Sequence, residues 1–335
     1  MKQILVSGGA GYVGSVLVPK LVKKGYRVRV LDTFWFWDSK DDYLKNLNLD
    51  NNSNIELIKG DIRSINDCKK SVSGVDTVIQ LACISNDPSS DLDSKFTHSI
   101  NYDGNINIID EAKRAGVKRF IYASSSSVYG IKEVPNVTED MLLEPLTQYS
   151  KLKVEIEHYL LHVLDDNFKG VIIRPSTVCG YSPRQRLDVV VNILTNFAVN
   201  KGKIKVFGGE QLRPNIHIED MTDLYLQLVE ENIDKIHKKI YNAGWENLAV
   251  SEIANQVKEV IGNIEVEKVP TDDIRSYHVS SEKIKKEINF KPKKSVKDAI
   301  LDLKKAFDIG KLKDIDNNKY YNVNLIKEII GENNE

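Results

Sequence analysis

Tyr149 and Lys153 have the types and spacing of an acid–base pair. In Tyr149-Ser-Lys-Leu-Lys153 a phenol and an ammonium stand four positions apart, on one face of a helix. A phenol with a pKa of about 10 is too weak an acid to serve as a base at neutral pH. An adjacent cation favours the phenolate, and so does a positively charged cofactor ring beside it, so Lys153 and such a ring together are expected to lower the pKa of Tyr149 and make it a proton acceptor. Lys151 points elsewhere. The spacing alone is common on helices, so its meaning depends on its company. Upstream, the apolar run Phe120-Ile-Tyr122 is followed by the hydroxyls Ser124 to Ser127 and then Val-Tyr-Gly. Such serines either cap a polar turn or hydrogen-bond a reacting oxygen.

A second chemical feature stands at the start of the chain. Gly8-Gly-Ala-Gly11-Tyr-Val-Gly14 follows the apolar Ile4-Leu-Val6 and precedes a helical pattern over Ser15–Lys24. Gly8 permits a tight turn, Gly11 a close backbone approach to a pyrophosphate, and Gly14 close packing of helix on strand. The helix N-terminus, with Tyr12 and Val13 beside it, offers unpaired N–H groups to phosphates. Asp32 ends the next apolar run, eighteen residues beyond Gly14. A carboxylate there accepts from both hydroxyls of an adenosine ribose and repels a 2′-phosphate, so the expected cofactor is NAD rather than NADP.

These residues need a scaffold, and the apolar runs supply it. Ile4–Val6, Val28–Leu31, Ile55–Ile58, Val75–Ile79, Phe120–Tyr122 and Val171–Ile173 read as six strands alternating with helical patterns such as Ile100–Ala115. Strand–helix alternation predicts an α/β fold, a doubly wound parallel sheet of Rossmann type with both faces covered. After Pro175 the pattern loosens, and prolines and glycines punctuate shorter elements of a smaller mixed α/β substrate lobe. Ile216–Val229 and Ile240–Ala243 read as a strand–helix–strand returning to the first domain. The expected division is 1–174 plus about 216–244 for the cofactor domain and about 175–215 plus 245–310 for the substrate lobe. A tail over 311–335 is polar except for Val323–Ile330, which docks as a helix or frays.

Composition narrows the function classes. The 335 residues exceed what one core usually supports, and 47 Lys+Arg against 48 Asp+Glu leave a net charge of −1. That balance gives no basic surplus for nucleic acid. No apolar run approaches the roughly 18–20 residues of a membrane span, and the start does not read as a signal peptide. Cys68, Cys83 and Cys179 lie far apart and His98, His158, His162, His217, His237 and His278 show no ligand spacing, so no metal is expected. A cytoplasmic protein follows.

The Gly-x-x-Gly-x-x-Gly spacing resembles that of the extended short-chain dehydrogenase/reductase superfamily, specifically its NAD-dependent sugar-nucleotide epimerase/dehydratase family. The resemblance runs from residue 3 to about residue 305. It implies that Asp61 and Ile62, in Gly60-Asp-Ile, meet the adenine. It also implies that Leu81 and Ala82 pass beside the nicotinamide ribose, and that Asn101 and Ser124 belong to the cofactor set. Aligned through Val-Tyr-Gly, Ser125 becomes the third catalytic group beside Tyr149 and Lys153. Relatives that dehydrate the sugar carry Asp-Glu where this chain has Ser126 and Ser127, and without that acid–base pair elimination lacks its proton shuttle.

The resemblance also implies a substrate set of Ser85, Ser126, Thr177, Arg184, Arg186, Asn192, Arg213 and Arg275. Thr177 stands where the family has Asn, and the arginines are suited to a diphosphate. A surface ion pair is the other reading of Arg184 and Arg186. Phe34-Trp-Phe-Trp37 suits a cofactor lid, a subunit contact or plain packing on the sheet edge. The family pairs its subunits through a four-helix bundle, here around Ile100–Ala115 and Tyr149–Leu164, which implies a homodimer. The expected reaction is 4-epimerisation of a nucleotide sugar through a 4-keto intermediate. A 4-dehydrogenase, a 4-keto-sugar reductase and a non-catalytic NAD sensor or scaffold remain as alternatives.

Overall fold

The computed structural model describes residues 2–132, 134–271 and 278–334. Six strands open the chain: β1 (Gln3–Ser7), β2 (Arg27–Asp32), β3 (Ile55–Lys59), β4 (Thr77–Gln80), β5 (Arg119–Ala123) and β6 (Lys169–Pro175). The short β7 (Thr177–Cys179), β8 (Lys203–Phe207) and β9 (Leu212–His217) follow, then β10 (Lys239–Ala243), β11 (Glu246–Ala249) and β12 (Glu265–Val269). The main sheet has seven strands in the order β10-β6-β5-β4-β1-β2-β3, every neighbouring pair parallel. Parallel neighbours need crossovers, and the helices that make them cover both faces. Alternate strand residues therefore serve two cores. Ile4, Val6, Val28, Val30, Ile121 and Val171 pack on one side, and Leu5, Leu31, Val78, Phe120 and Ile172 on the other. The strand order reverses between β1 and β4, so a crevice opens at their C-terminal ends.

The second body holds two small sheets. In one, β9 lies between antiparallel β11 and parallel β7; in the other, β8 pairs in parallel with β12. Their core is Val191, Leu194, Ile204, Ile253, Val257 and Ile300, from the helices Val190–Lys201, Val250–Ile261 and Val296–Asp308 and from β8. Ile216 was expected to open a strand of the first domain. It lies instead in β9, which extends upstream to Leu212 and finds its partners in β7 and β11. The chain rejoins the main body with the helix Ile218–Glu230, whose Met221, Leu224 and Leu228 enter the first core. Ile284, Ile288 and Phe290 also pack there, so the later segment dips back toward the main sheet. The tail docks: Asn322–Asn334 is a helix, and its Leu325, Ile326 and Ile329 are buried in the second core.

Candidate active site

The glycine turn is built as tightly as its residue types allow. Gly8 has φ +77°, and a Cβ there would come within 2.6 Å of the Ala82 nitrogen. A Cβ on Gly14 would meet Gly9 at 2.5 Å, so the absence of a side chain lets the helix Gly14–Lys23 start against the turn. Tyr12 is buried beside the turn. Its hydroxyl donates to the Gly180 carbonyl at 2.6 Å and accepts from Asn192 Nδ2 at 3.1 Å, joining the turn to the smaller body. The Asp32 carboxylate accepts the Ala10 N–H at 2.9 Å and the Phe34 N–H at 2.8 Å. Burial raises its pKa, and those two bonds oppose the rise. Asp61 is gripped by Arg63, through Nε at 3.0 Å and Nη2 at 2.7 Å. Ile62 is pressed by the π-helical turn Ser99–Gly104, where a Cβ on Gly104 would come within 2.6 Å of it.

Tyr149, Lys153 and Ser125 meet beyond the C-terminal end of β5. The helix Gln148–Val163 opens with a capping box between Thr147 and Ser150, which fixes Tyr149 in its first turn. Lys153 Nζ donates to the Ala123 carbonyl at 2.7 Å and lies 5.7 Å from the centre of the Tyr149 ring. Lys153 alone does not bring the Tyr149 pKa down. Burial pushes the phenol well above its ordinary value, Cys83 and Asp87 add to the rise, and a hydrogen bond with Ser125 and the charge of Arg186 oppose it. Desolvation outweighs every cation the chain supplies. Ser125 Oγ is 2.9 Å from Ser127 Oγ and also accepts the Ser127 N–H. Ser124 donates to buried Glu157, whose carboxylate is forked by Arg174 at 3.0 and 2.6 Å. A Cβ on Gly130 would meet the Glu144 carbonyl oxygen at 2.1 Å.

One cavity of about 430 Å³ gathers most of the residues singled out in the sequence. Gly8, Gly11, Tyr12, Val13, Gly14 and Asp32 line it, as do Asp61, Ile62, Leu81, Ala82 and Ser124. So do Ser125, Tyr149 and Lys153, and on the substrate side Ser85, Ser126, Thr177, Arg184, Arg186 and Arg213. Asn101 and Asn192 stand behind the wall. Asn101 exchanges hydrogen bonds with the backbone N–H and carbonyl of Ile84, at 2.8 and 2.9 Å. Asn192 accepts from the Gly180 N–H at 3.0 Å and donates to the Arg186 carbonyl at 2.8 Å. Both have the geometry of positioning residues. Arg275 lies outside the described residues.

A family model described as the NAD dependent epimerase/dehydratase family matches residues 4–244. The chain belongs to that family. A UDP-glucose 4-epimerase of Bacillus subtilis is 26% identical over 328 residues, covering 89% of this chain and 95% of that protein. UDP-glucuronic acid decarboxylase 1 of Arabidopsis thaliana is 30% identical over 316 residues, covering 89% of this chain and 68% of its own. Among solved structures, the UDP-glucuronic acid 4-epimerase of Bacillus cereus, in complex with UDP-glucuronic acid and NAD, superposes with a TM-score of 0.81. It is 26% identical, covering 92% of this chain and 99% of that one.

The residues present fit the family's cofactor. The side-chain-free cradle at Gly8 and Gly14, the helix N-terminus behind it and the Asp32 carboxylate line one continuous wall. Two guanidinium N–H groups of cavity-lining residues, Arg184 Nε and Arg186 Nη2, are buried without a protein partner, as expected of groups that await an anion. Among the described residues no three His, Cys, Asp or Glu side chains gather as a metal site, and no helix is long and apolar enough to cross a membrane. Trp35 and Phe36 of the aromatic run line the cavity, whereas Phe34 and Trp37 pack edge-on against Tyr43. The run thus divides between cavity wall and core.

Sequence reasoning passed over several lining residues. Asp87, Thr147, Asn322 and Ile326 all border the cavity. Asp87 had a local signal: Asn86-Asp-Pro is a helix-start pattern, and Asn86 Oδ1 does cap the Ser89 N–H. Thr147 had one too, standing just before the Tyr149 helix. For Asn322 there was none, because nothing periodic links it to a site 138 residues upstream.

Proposed function

We propose that this chain is a nucleotide-sugar 4-epimerase. The observation that carries the reading is the meeting of Ser125, Tyr149 and Lys153 at the end of β5, on the wall shared with the glycine turn. NAD, when bound, supplies the hydride acceptor and then the hydride donor. Tyr149 takes the proton of the sugar C4 hydroxyl as that carbon is oxidised, and Ser125 hydrogen-bonds the same oxygen. The keto sugar turns within the cavity, and Tyr149 returns the proton to the C4 oxygen of the opposite epimer. Lys153, anchored on Ala123, orients the phenol and offers its remaining N–H groups to the cofactor ribose. Arg184, Arg186 and Arg213 are assigned to the phosphates.

Ser126 and Ser127 support epimerisation over dehydration, since neither hydroxyl is a proton shuttle for elimination. A cytoplasmic homodimer belongs to the same reading; Tyr102, Ile106, Tyr159 and Val163, only partly buried on the two relevant helices, are apolar surface for a bundle. The test is incubation of the purified protein with UDP-, dTDP-, GDP- and CDP-sugars, with products read by mass spectrometry and NMR. An isomer of unchanged mass is the expected product. A product about two mass units lighter, with reduced nicotinamide accumulating, would replace the epimerase with a 4-dehydrogenase.

A further inference from the structure

The segment around Asn322 lies beyond the family match, which ends at residue 244, yet it closes part of the cavity. Asn322 is 6% exposed and makes three hydrogen bonds to two loops, one around Ser85 and one over 184–188. Its Oδ1 accepts from Arg184 Nη2 at 2.6 Å, its Nδ2 donates to Ser85 Oγ at 2.9 Å, and its N–H donates to Asp188 Oδ2 at 2.9 Å. Just before it in the chain the Leu187 N–H donates to the Tyr320 carbonyl at 2.9 Å, and Asn196 Nδ2 to the Tyr321 hydroxyl at 3.2 Å. Lys319 pairs with Asp38, at the end of the aromatic loop. Ile326 lines the cavity and packs in the core that holds Leu31, Ile62, Ile84 and Ile100, themselves lining residues.

What this segment holds is Arg184. Its guanidinium carbon sits 3.4 Å from the centre of the Phe36 ring, a cation–π stack from the smaller body onto the loop that follows Asp32. Burial and the charge of Arg186 press the Arg184 pKa down to about 9, with Asp32 and Asp188 opposing. A buried guanidinium with an unmet N–H is held there by geometry and is suited to an anionic ligand.

We propose that residues 318–330 are a retaining strap: by holding Arg184 through Asn322, they close the Asp32 end of the cavity over a bound dinucleotide and set its exchange rate. The inference rests on the cofactor reading above. Asn322 acts through Arg184 and is a positioning residue.

The experiment loads the full-length protein with labelled NAD, removes free nucleotide and follows release during a chase with unlabelled NAD. Thermal melting is recorded in parallel. Asn322→Ala is expected to release the label at least tenfold faster at an unchanged melting temperature. Asn322→Asp keeps the acceptor for Arg184 and is expected to release it at close to the original rate. Should the alanine protein melt early, Lys319→Ala frees the strap from Asp38 at an exposed position, with faster release again expected and release at the original rate counting against the strap. Release at the original rate from a folded Asn322→Ala protein would overturn the strap, and equal acceleration by Asn322→Asp would overturn the link through Arg184. An unmodified protein that retains no NAD would instead overturn the cofactor reading itself.

Discussion

Tyr149 sits in a place that keeps its proton, so whatever makes it a base arrives with the ligands rather than with Lys153. Replacing it with phenylalanine removes the proton acceptor and leaves the packing. Tyr149→Phe is expected to lower kcat by about 10²–10⁴, with binding of nicotinamide nucleotide retained in calorimetry. A second prediction concerns the support behind the serines. Arg174 and Glu157 are a buried pair, 3% and 1% exposed, and Glu157 also receives the Ser124 hydroxyl. Arg174→Met strands a buried carboxylate and is expected to cost about 3–5 kcal/mol in urea unfolding, against a smaller loss for the double change Arg174→Met with Glu157→Gln. The Tyr149–Lys153 pair was legible because four residues along a helix is a local geometry. The direction of the Tyr12 side chain was not, since its partners Gly180 and Asn192 are 168 and 180 positions away.

At the scale of elements, the turn that ends the serine run shows what a single glycine does. Gly130 has φ +68° and ψ −137°, and its missing Cβ leaves room for the Glu144 carbonyl. Gly130→Ala combines backbone strain of about 1–3 kcal/mol with overpacking of similar size, and the obstacle is backbone that has no rotamer to yield. The expected result is a fall of about 2–5 kcal/mol in unfolding free energy, measured in urea, with activity lost before the fold. The glycine turn after β1 was readable for the opposite reason: strand, turn and helix follow one another without a gap, so each constrains the next. The allegiance of β9 escaped because strand pairing is non-local, and an apolar run does not name its neighbour. The π-helical turn Ser99–Gly104 escaped as well; its register is held by Asn101 on Ile84, a tertiary contact.

The whole molecule has a pH limit written into its aromatic core. Burial raises the pKa of Tyr12, Tyr43, Tyr122 and Tyr225 well above the ordinary phenol value. In the unfolded chain they titrate near pH 10, so the native state binds the extra protons at higher pH. Stability is therefore intact below about pH 10 and falls above it, by up to about 1.4 kcal/mol per tyrosine per pH unit. Phenolate absorbance is expected to rise together with the loss of circular dichroism in one transition; phenols titrating smoothly in a folded protein would refute this. The doubly wound architecture was legible in outline because parallel sheets are made of alternating patterns. The closing of the cavity from residues 320–326 was not, since it depends on how the two bodies dock. The main sheet also has a bearing on biosynthesis. β6 is an inner strand only because β10 covers it, and Ala243 follows Pro175 by 68 residues. At about 5–20 residues per second a ribosome needs roughly 3–14 s to deliver that cover. For that interval the nascent chain carries a bare, strongly apolar strand edge, a natural substrate for a chaperone.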